Sequence, residues 1–354
     1  MPGCLRRSFV FGGLALTGVA GCAVATKAPP PFRTDNNAGY AAAWDYLAAR
    51  NGKALLVWSG GSLAHESYAA DFGPEKAHTL YSASKSFWGP VAACMIEDGL
   101  LTSFDEPVSR TLASWAADPA KRGITVRQLL SLQSGIDPGE RGPASSQPWD
   151  ASARAPVIDP PGARFRYGPN NYGTFGAVMR ETMRPLGETP LGYLSRRILT
   201  PIGSKIGAWR DADGDPVLQG GALFTAPDYL RYGRLLLANG RWEGRQLIPA
   251  AGLQECLRPS PANSAYGLTF WLNRGRREGP VAEAGEDFAA NFRKLAQGGA
   301  IAPDLPADLY AAIGGGGQRL YVAPSNDLTA VVLSATNTFN DAVVLRALLG
   351  VAAA

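Results

Sequence analysis

Ser82 is the only serine in the 354 residues that has a lysine, Lys85, three positions later. Residues three apart on a helix share a face, so the ammonium stem at 85 can reach the hydroxyl at 82. A helix N-terminus presents backbone N–H groups without partners, and these favour negative charge developing on the serine oxygen. Burial among apolar neighbours lowers a lysine's basicity, which lets it be neutral and accept a proton. The pattern therefore supplies a serine nucleophile and a base without histidine. The same four residues also read as a capping serine followed by a surface lysine.

Competing chemistries lack their residues. There is no G-x-S-x-G elbow of the kind that exposes a serine on a strand-to-helix turn. Histidine is confined to His65, inside a predicted strand, and His78, in a polar turn, so neither reads as a triad base. No P-loop or dinucleotide fingerprint occurs, and the glycine run 314–317 precedes no helix pattern. No Cys/His cluster has metal-ligand spacing. The chemistry calls for neither metal nor organic cofactor. With 34 basic against 30 acidic residues and no Lys/Arg-rich run, the chain carries no footprint for nucleic acid.

The elements that must position this pair follow from the patterning. A composition 46% hydrophobic and 18% charged is that of a globular chain with a real core. Residues 1–21 read as a signal segment: Arg6-Arg7, an apolar run from Phe9 to Ala20, then Val19-Ala20-Gly21-Cys22, which resembles a bacterial lipobox ending at Cys22. Arg6-Arg7-Ser8-Phe9-Val10 also resembles a twin-arginine export signal. The chain is expected to be exported to the periplasmic face and tethered to a membrane by lipid on Cys22. Cys94 and Cys256 could pair in that compartment, but the apolar helical setting of Cys94 favours a buried free thiol.

Residues 22–38, with Pro29-Pro30-Pro31, read as a linker, and 39–354 as the folded domain. A helix is predicted at Gly39–Asn51, then a hairpin of Leu55–Trp58 and Leu63–Tyr68 about Gly60-Gly61. Strand patterns return at Tyr266–Leu272, Gln318–Ala323 and Leu328–Ala335, before a closing helix at Asp341–Leu349. Between them lie helical patterns at Lys85–Gly99, Thr125–Ser134, Tyr172–Met183, Pro190–Leu199 and Pro227–Asn239. The fold class is α+β: one mainly antiparallel sheet built from both ends of the chain, flanked by helices, with an all-helical subdomain inserted at about residues 100–225.

The chain resembles the class C β-lactamase-like serine hydrolases, which include penicillin-binding proteins, D-aminopeptidases, family VIII esterases and 6-aminohexanoate-oligomer hydrolases. The resemblance rests on Tyr81-Ser82-Ala83-Ser84-Lys85-Ser86-Phe87, on Ile124-Thr125-Val126-Arg127-Gln128-Leu129-Leu130-Ser131-Leu132-Gln133-Ser134-Gly135-Ile136, and on Gly220-Gly221-Ala222-Leu223 running into Pro227-Asp228-Tyr229. It implies a β-lactamase/transpeptidase-like fold with the active site where sheet and helical subdomain meet. It also implies a catalytic tyrosine. The stretch Phe165-Arg166-Tyr167-Gly168-Pro169-Asn170 places Tyr167 there, with Tyr172 as the fallback and Asn170 as the available amide. Pro169 stands where many relatives carry asparagine.

The family's third element, a cation-x-Gly triad, falls on Ala312-Ile313-Gly314. Gly314 would let the backbone approach the substrate, and the amide of Gly315 would join that of Ser82 as oxyanion donor. With alanine at 312 the triad cation is missing, so substrates carrying a carboxylate are expected to be poor. The leading reading is an acyl-enzyme hydrolase of carboxylic esters or small amides. The alternatives are a periplasmic DD-peptidase or β-lactamase, and a silent lipoprotein that binds without cleaving.

Overall fold

The computed structural model describes residues 36–140, 146–275 and 288–351. The expected signal segment, Cys22 and most of the linker lie outside them. Helix α1 (Asn37–Ala48) leads into strands β1 (Gly52–Ser59) and β2 (Ser62–Tyr68), joined by the Gly60-Gly61 turn. Helix α2 (Trp88–Glu97) and helix α3 (Asn170–Met183) follow, then α4 (Ala226–Leu237). The chain returns to the sheet through β3 (Trp271–Leu272), β4 (Tyr310–Gly314), β5 (Gln318–Ala323) and β6 (Leu328–Ser334), and closes with α5 (Asp341–Leu349).

The six strands form one antiparallel sheet in the order β3-β4-β5-β6-β1-β2. The β1–β6 pairing, Gly52 with Ser334 through Ser59 with Leu328, is the seam at which the two ends of the chain meet. Successive side chains of a strand face opposite ways. Leu320 therefore packs under α4, where a Cβ on Gly233 would stand 2.6 Å from Leu320 Cδ1. Its neighbour Arg319 faces α5 and pairs with Asp341 on the other side. Helices thus cover both faces, and β4, β5, β6 and most of β1 are buried throughout.

The inserted region is helical as far as Ile202, but it is not all helix. Short strands follow at Ala208–Trp209, Asp211–Ala212, Asp215–Pro216 and Ala222–Phe224. The reason is local: Asp213 and Gly214 both take positive φ, the backbone of a tight hairpin turn. The predicted strand Tyr266–Leu272 likewise shrinks to Trp271–Leu272, because a turn at Thr269 with φ 77° interrupts it.

Helix α2 is buried on every side from Trp88 to Met95, as befits a helix apolar all round its circumference. The pattern at Lys85–Gly99 predicts that it begins at Lys85. Instead, Tyr81–Phe87 forms a tighter three-residue-per-turn segment and the α-helix starts at Trp88. Pro90 marks the change. It has no N–H for the carbonyl four residues back, and that carbonyl, Ser86 O, accepts from the Tyr232 hydroxyl at 2.7 Å instead. Cys94 and Cys256 are both buried free thiols.

Candidate active site

The tight turn Tyr81–Phe87 positions the pair. At three residues per turn, side chains at i and i+3 eclipse, so Lys85 lies directly over Ser82. Lys85 Nζ donates to Ser82 Oγ at 3.1 Å and to Gln219 O at 2.9 Å. The turn is clamped from outside: Leu80 N–H donates to Ala222 O, Ala222 N–H to Ser84 Oγ, and Trp88 Nε1 to Leu218 O. Tyr81, just before the serine, is held at φ 47°, a conformation a tyrosine adopts only when its surroundings impose it.

Lys85 is 3% exposed, and burial pulls its ammonium down from the ordinary 10.5 to about 7. It lies against aromatic rings, with Nζ 4.6 Å from the centre of Tyr167 and 5.4 Å from that of Tyr172. The two tyrosines differ in their settings. Tyr172 is fully buried, donates to Leu130 O at 3.3 Å and shares a 3.0 Å bond with the Tyr266 hydroxyl. Burial pushes its phenol well above the ordinary range. Tyr167 instead lines the cleft, stacked on Trp271 and met edge-on by Phe292.

That cleft, about 480 Å³, opens over Ser82, Lys85, Tyr167 and Gly315. Gly314 holds the end of β4 against the turn that carries Ser82, for a Cβ there would stand 2.0 Å from Leu80 O. The Gly314 carbonyl accepts from Arg319 Nη1 at 3.1 Å, and Arg319 is itself fixed by Asp341 at 2.6 Å. A planar trans peptide points its C=O and its N–H in opposite directions. With the Gly314 carbonyl turned to β5, the Gly315 N–H faces the other way. There β4 is open, because β3 pairs only with Tyr310 and Ala311.

One expectation changes. Asn170 does not line the cleft: its Oδ1 accepts from Gln147 at 2.6 Å and its Nδ2 donates to Asp137 O at 3.0 Å, so its amide ties loops together. Ala312 is buried, while Ile313 and Gly315 face the cleft, so this strand brings no cation. A cation is nevertheless present, since Arg210 lines the wall beside Gly220. Neither it nor Gln219 was signalled by the motif, because both come from a loop and hairpin far along the chain. Neither histidine is in the lining, and no group of three metal-ligating side chains occurs among the described residues.

Comparison with known proteins agrees with this architecture. The family model described as Beta-lactamase matches residues 41–354. A 6-aminohexanoate-dimer hydrolase of Paenarthrobacter ureafaciens is 30% identical over 264 residues, which is 66% of this chain and 67% of that protein. Among solved structures, a penicillin-binding protein homologue from Caulobacter crescentus superimposes with TM-score 0.65 at 18% identity, covering 89% of this chain and 97% of that one. EstCE1, a hydrolase with promiscuous acyltransferase activity, does so with TM-score 0.61 at 18% identity, covering 87% and 95%. The chain belongs to the Beta-lactamase family, with its β-lactamase/transpeptidase-like fold of mixed helices and antiparallel sheet. The family, with the 6-aminohexanoate-dimer hydrolase and EstCE1, comprises hydrolases of the serine β-lactamase type.

Proposed function

We propose that this chain hydrolyses carboxylic esters or small amides through an acyl-enzyme formed on Ser82. The observation that carries the reading is the 3.1 Å bond between Lys85 Nζ and Ser82 Oγ, at a lysine whose burial lowers it to about 7, so that a large neutral fraction is present at physiological pH. In this scheme Lys85, with Tyr167, takes the serine proton as Oγ bonds to the substrate carbonyl carbon. The amides of Ser82 and Gly315 hold the resulting oxyanion, a stabilisation typically worth about 3 kcal/mol per donor. The proton passes to the leaving alcohol or amine as its bond to the acyl carbon breaks. Water then attacks the acyl-serine and releases the acid.

Incubation with a fluorophosphonate probe and with p-nitrophenyl acetate tests this. Labelling and turnover in the wild type, both lost in Ser82→Ala, are the expected result. No labelling and no turnover, with Ser82→Ala indistinguishable from wild type, would end the hydrolase reading and favour a lipoprotein that binds without cleaving. The hydrolase and penicillin-binding relatives support two substrate classes, and trapping by benzylpenicillin without ester turnover would favour cell-wall chemistry. We also propose that Val19–Cys22 directs lipid attachment at Cys22 after export. Metabolic labelling with a fatty acid should mark the wild type and not Cys22→Ser.

A further inference from the structure

Arg210 is the only cation besides Lys85 among the described residues lining the cleft. Its backbone is pinned on both sides, N–H to Gly221 O at 2.9 Å and C=O to Val217 N–H at 2.8 Å. The side chain is less well provided for. Nη2 donates to Gly220 O at 3.1 Å, whereas Nε is buried without a hydrogen-bond partner. No described carboxylate pairs with it, although Asp211 follows it in sequence and Glu140 shares the cleft. A guanidinium presents five donors in a planar fork that fits a carboxylate. Leaving such a group short of acceptors inside a wall carries an uncompensated desolvation cost, and such defects gather at functional sites.

Its position suits a substrate. A Cβ on Gly220 would stand 3.9 Å from Arg210 Nη2 and 3.7 Å from the carbonyl carbon of Tyr81, the atom bonded to the Ser82 nitrogen. Glycine at 220 therefore keeps open the gap between the guanidinium and the nucleophile turn. The neighbouring Gln219 carbonyl holds Lys85. One short stretch thus fixes both the base and the cation.

We propose that Arg210 is a specificity-determining residue that binds a carboxylate carried by the substrate, so that the cleft favours esters or amides with a free carboxylate close to the scissile bond. It replaces, from a different element, the triad cation that Ala312 lacks. The proposal rests on Ser82 acting as the nucleophile.

Two matched pairs of esters test it: p-nitrophenyl hydrogen adipate against p-nitrophenyl hexanoate, and 3-carboxyphenyl hexanoate against phenyl hexanoate. The first places the carboxylate on the acyl side, the second on the leaving group. In at least one pair kcat/KM is expected to favour the carboxylate about ten- to a hundredfold, the effect of a charge-assisted hydrogen bond. Arg210→Met collapses that ratio towards one and Arg210→Lys restores part of it. No preference in either pair, or a preference that survives Arg210→Met, overturns the proposal. If no ester is turned over, the ester-hydrolase reading fails instead. Calorimetry with adipate and Ser82→Ala then decides the anion site separately: binding lost on adding Arg210→Met supports it, and no binding overturns it.

Discussion

At the scale of single residues, the site is a lysine placed where its charge is disfavoured. In the proposed scheme its neutral form is the proton acceptor, so kcat/KM on a neutral ester should rise with pH through about 7 and level off above it. Lys85→Arg, which stays protonated, should lose the activity together with that limb of the profile. Burial has a thermodynamic signature too. The folded value lies below the ordinary 10.5, so between about 7 and 10.5 the folded chain binds fewer protons than the unfolded one. The destabilisation is fully present below about pH 7 and fades as pH climbs towards 10.5. Lys85→Met should therefore be inactive yet melt higher than wild type, with the largest gain in acid, as read by thermal denaturation across pH.

Among elements, the decisive contact is that of β4 on the turn Tyr81–Phe87. Gly314 makes it possible, since a Cβ there would stand 2.0 Å from Leu80 O and 3.1 Å from Ala83 N. Gly314→Ala should push the strand and turn apart. Displacements of about 1 Å at reacting groups cost roughly a hundredfold in rate, so kcat on p-nitrophenyl acetate should fall by about that factor. The circular dichroism spectrum should remain that of the folded protein. Retention of full kcat would show that the strand does not position the reacting groups.

Across the whole molecule, the site depends on how the last helix is locked to the sheet. Arg319, Asp341 and Tyr321 form a buried network that ties α5 to β5, and Arg319 also reaches the Gly314 carbonyl. Removing one member of a buried pair leaves the other charge uncompensated, at a cost of about 3–5 kcal/mol. Arg319→Met should lower the urea midpoint by that amount of stability. Adding Asp341→Asn should recover part of it, because no lone carboxylate is then buried. Unchanged stability in Arg319→Met would mean that the pair holds nothing together.

Much of this protein can be read along the chain. The strands Gln318–Ala323 and Leu328–Ser334 and the closing helix Asp341–Leu349 stand out because period-two and period-3.6 patterns are local properties. Ser82 and Lys85 were legible for the same reason, being three residues apart on one turn. What the chain could not show is which groups arrive from elsewhere. Gln219, whose carbonyl holds Lys85, is 134 residues away, and Arg210 lies on a hairpin that carries no motif. Asn170 and Tyr172 have the residue types of site members, yet packing commits their polar atoms to Gln147, Asp137, Leu130 and Tyr266. Sequence determined the Ser82–Lys85 pair and the main strand patterns, because both are set by residues close together along the chain. Only tertiary structure decided how deeply the lysine is buried and which cation faces the cleft, because burial and pairing depend on the whole packed molecule.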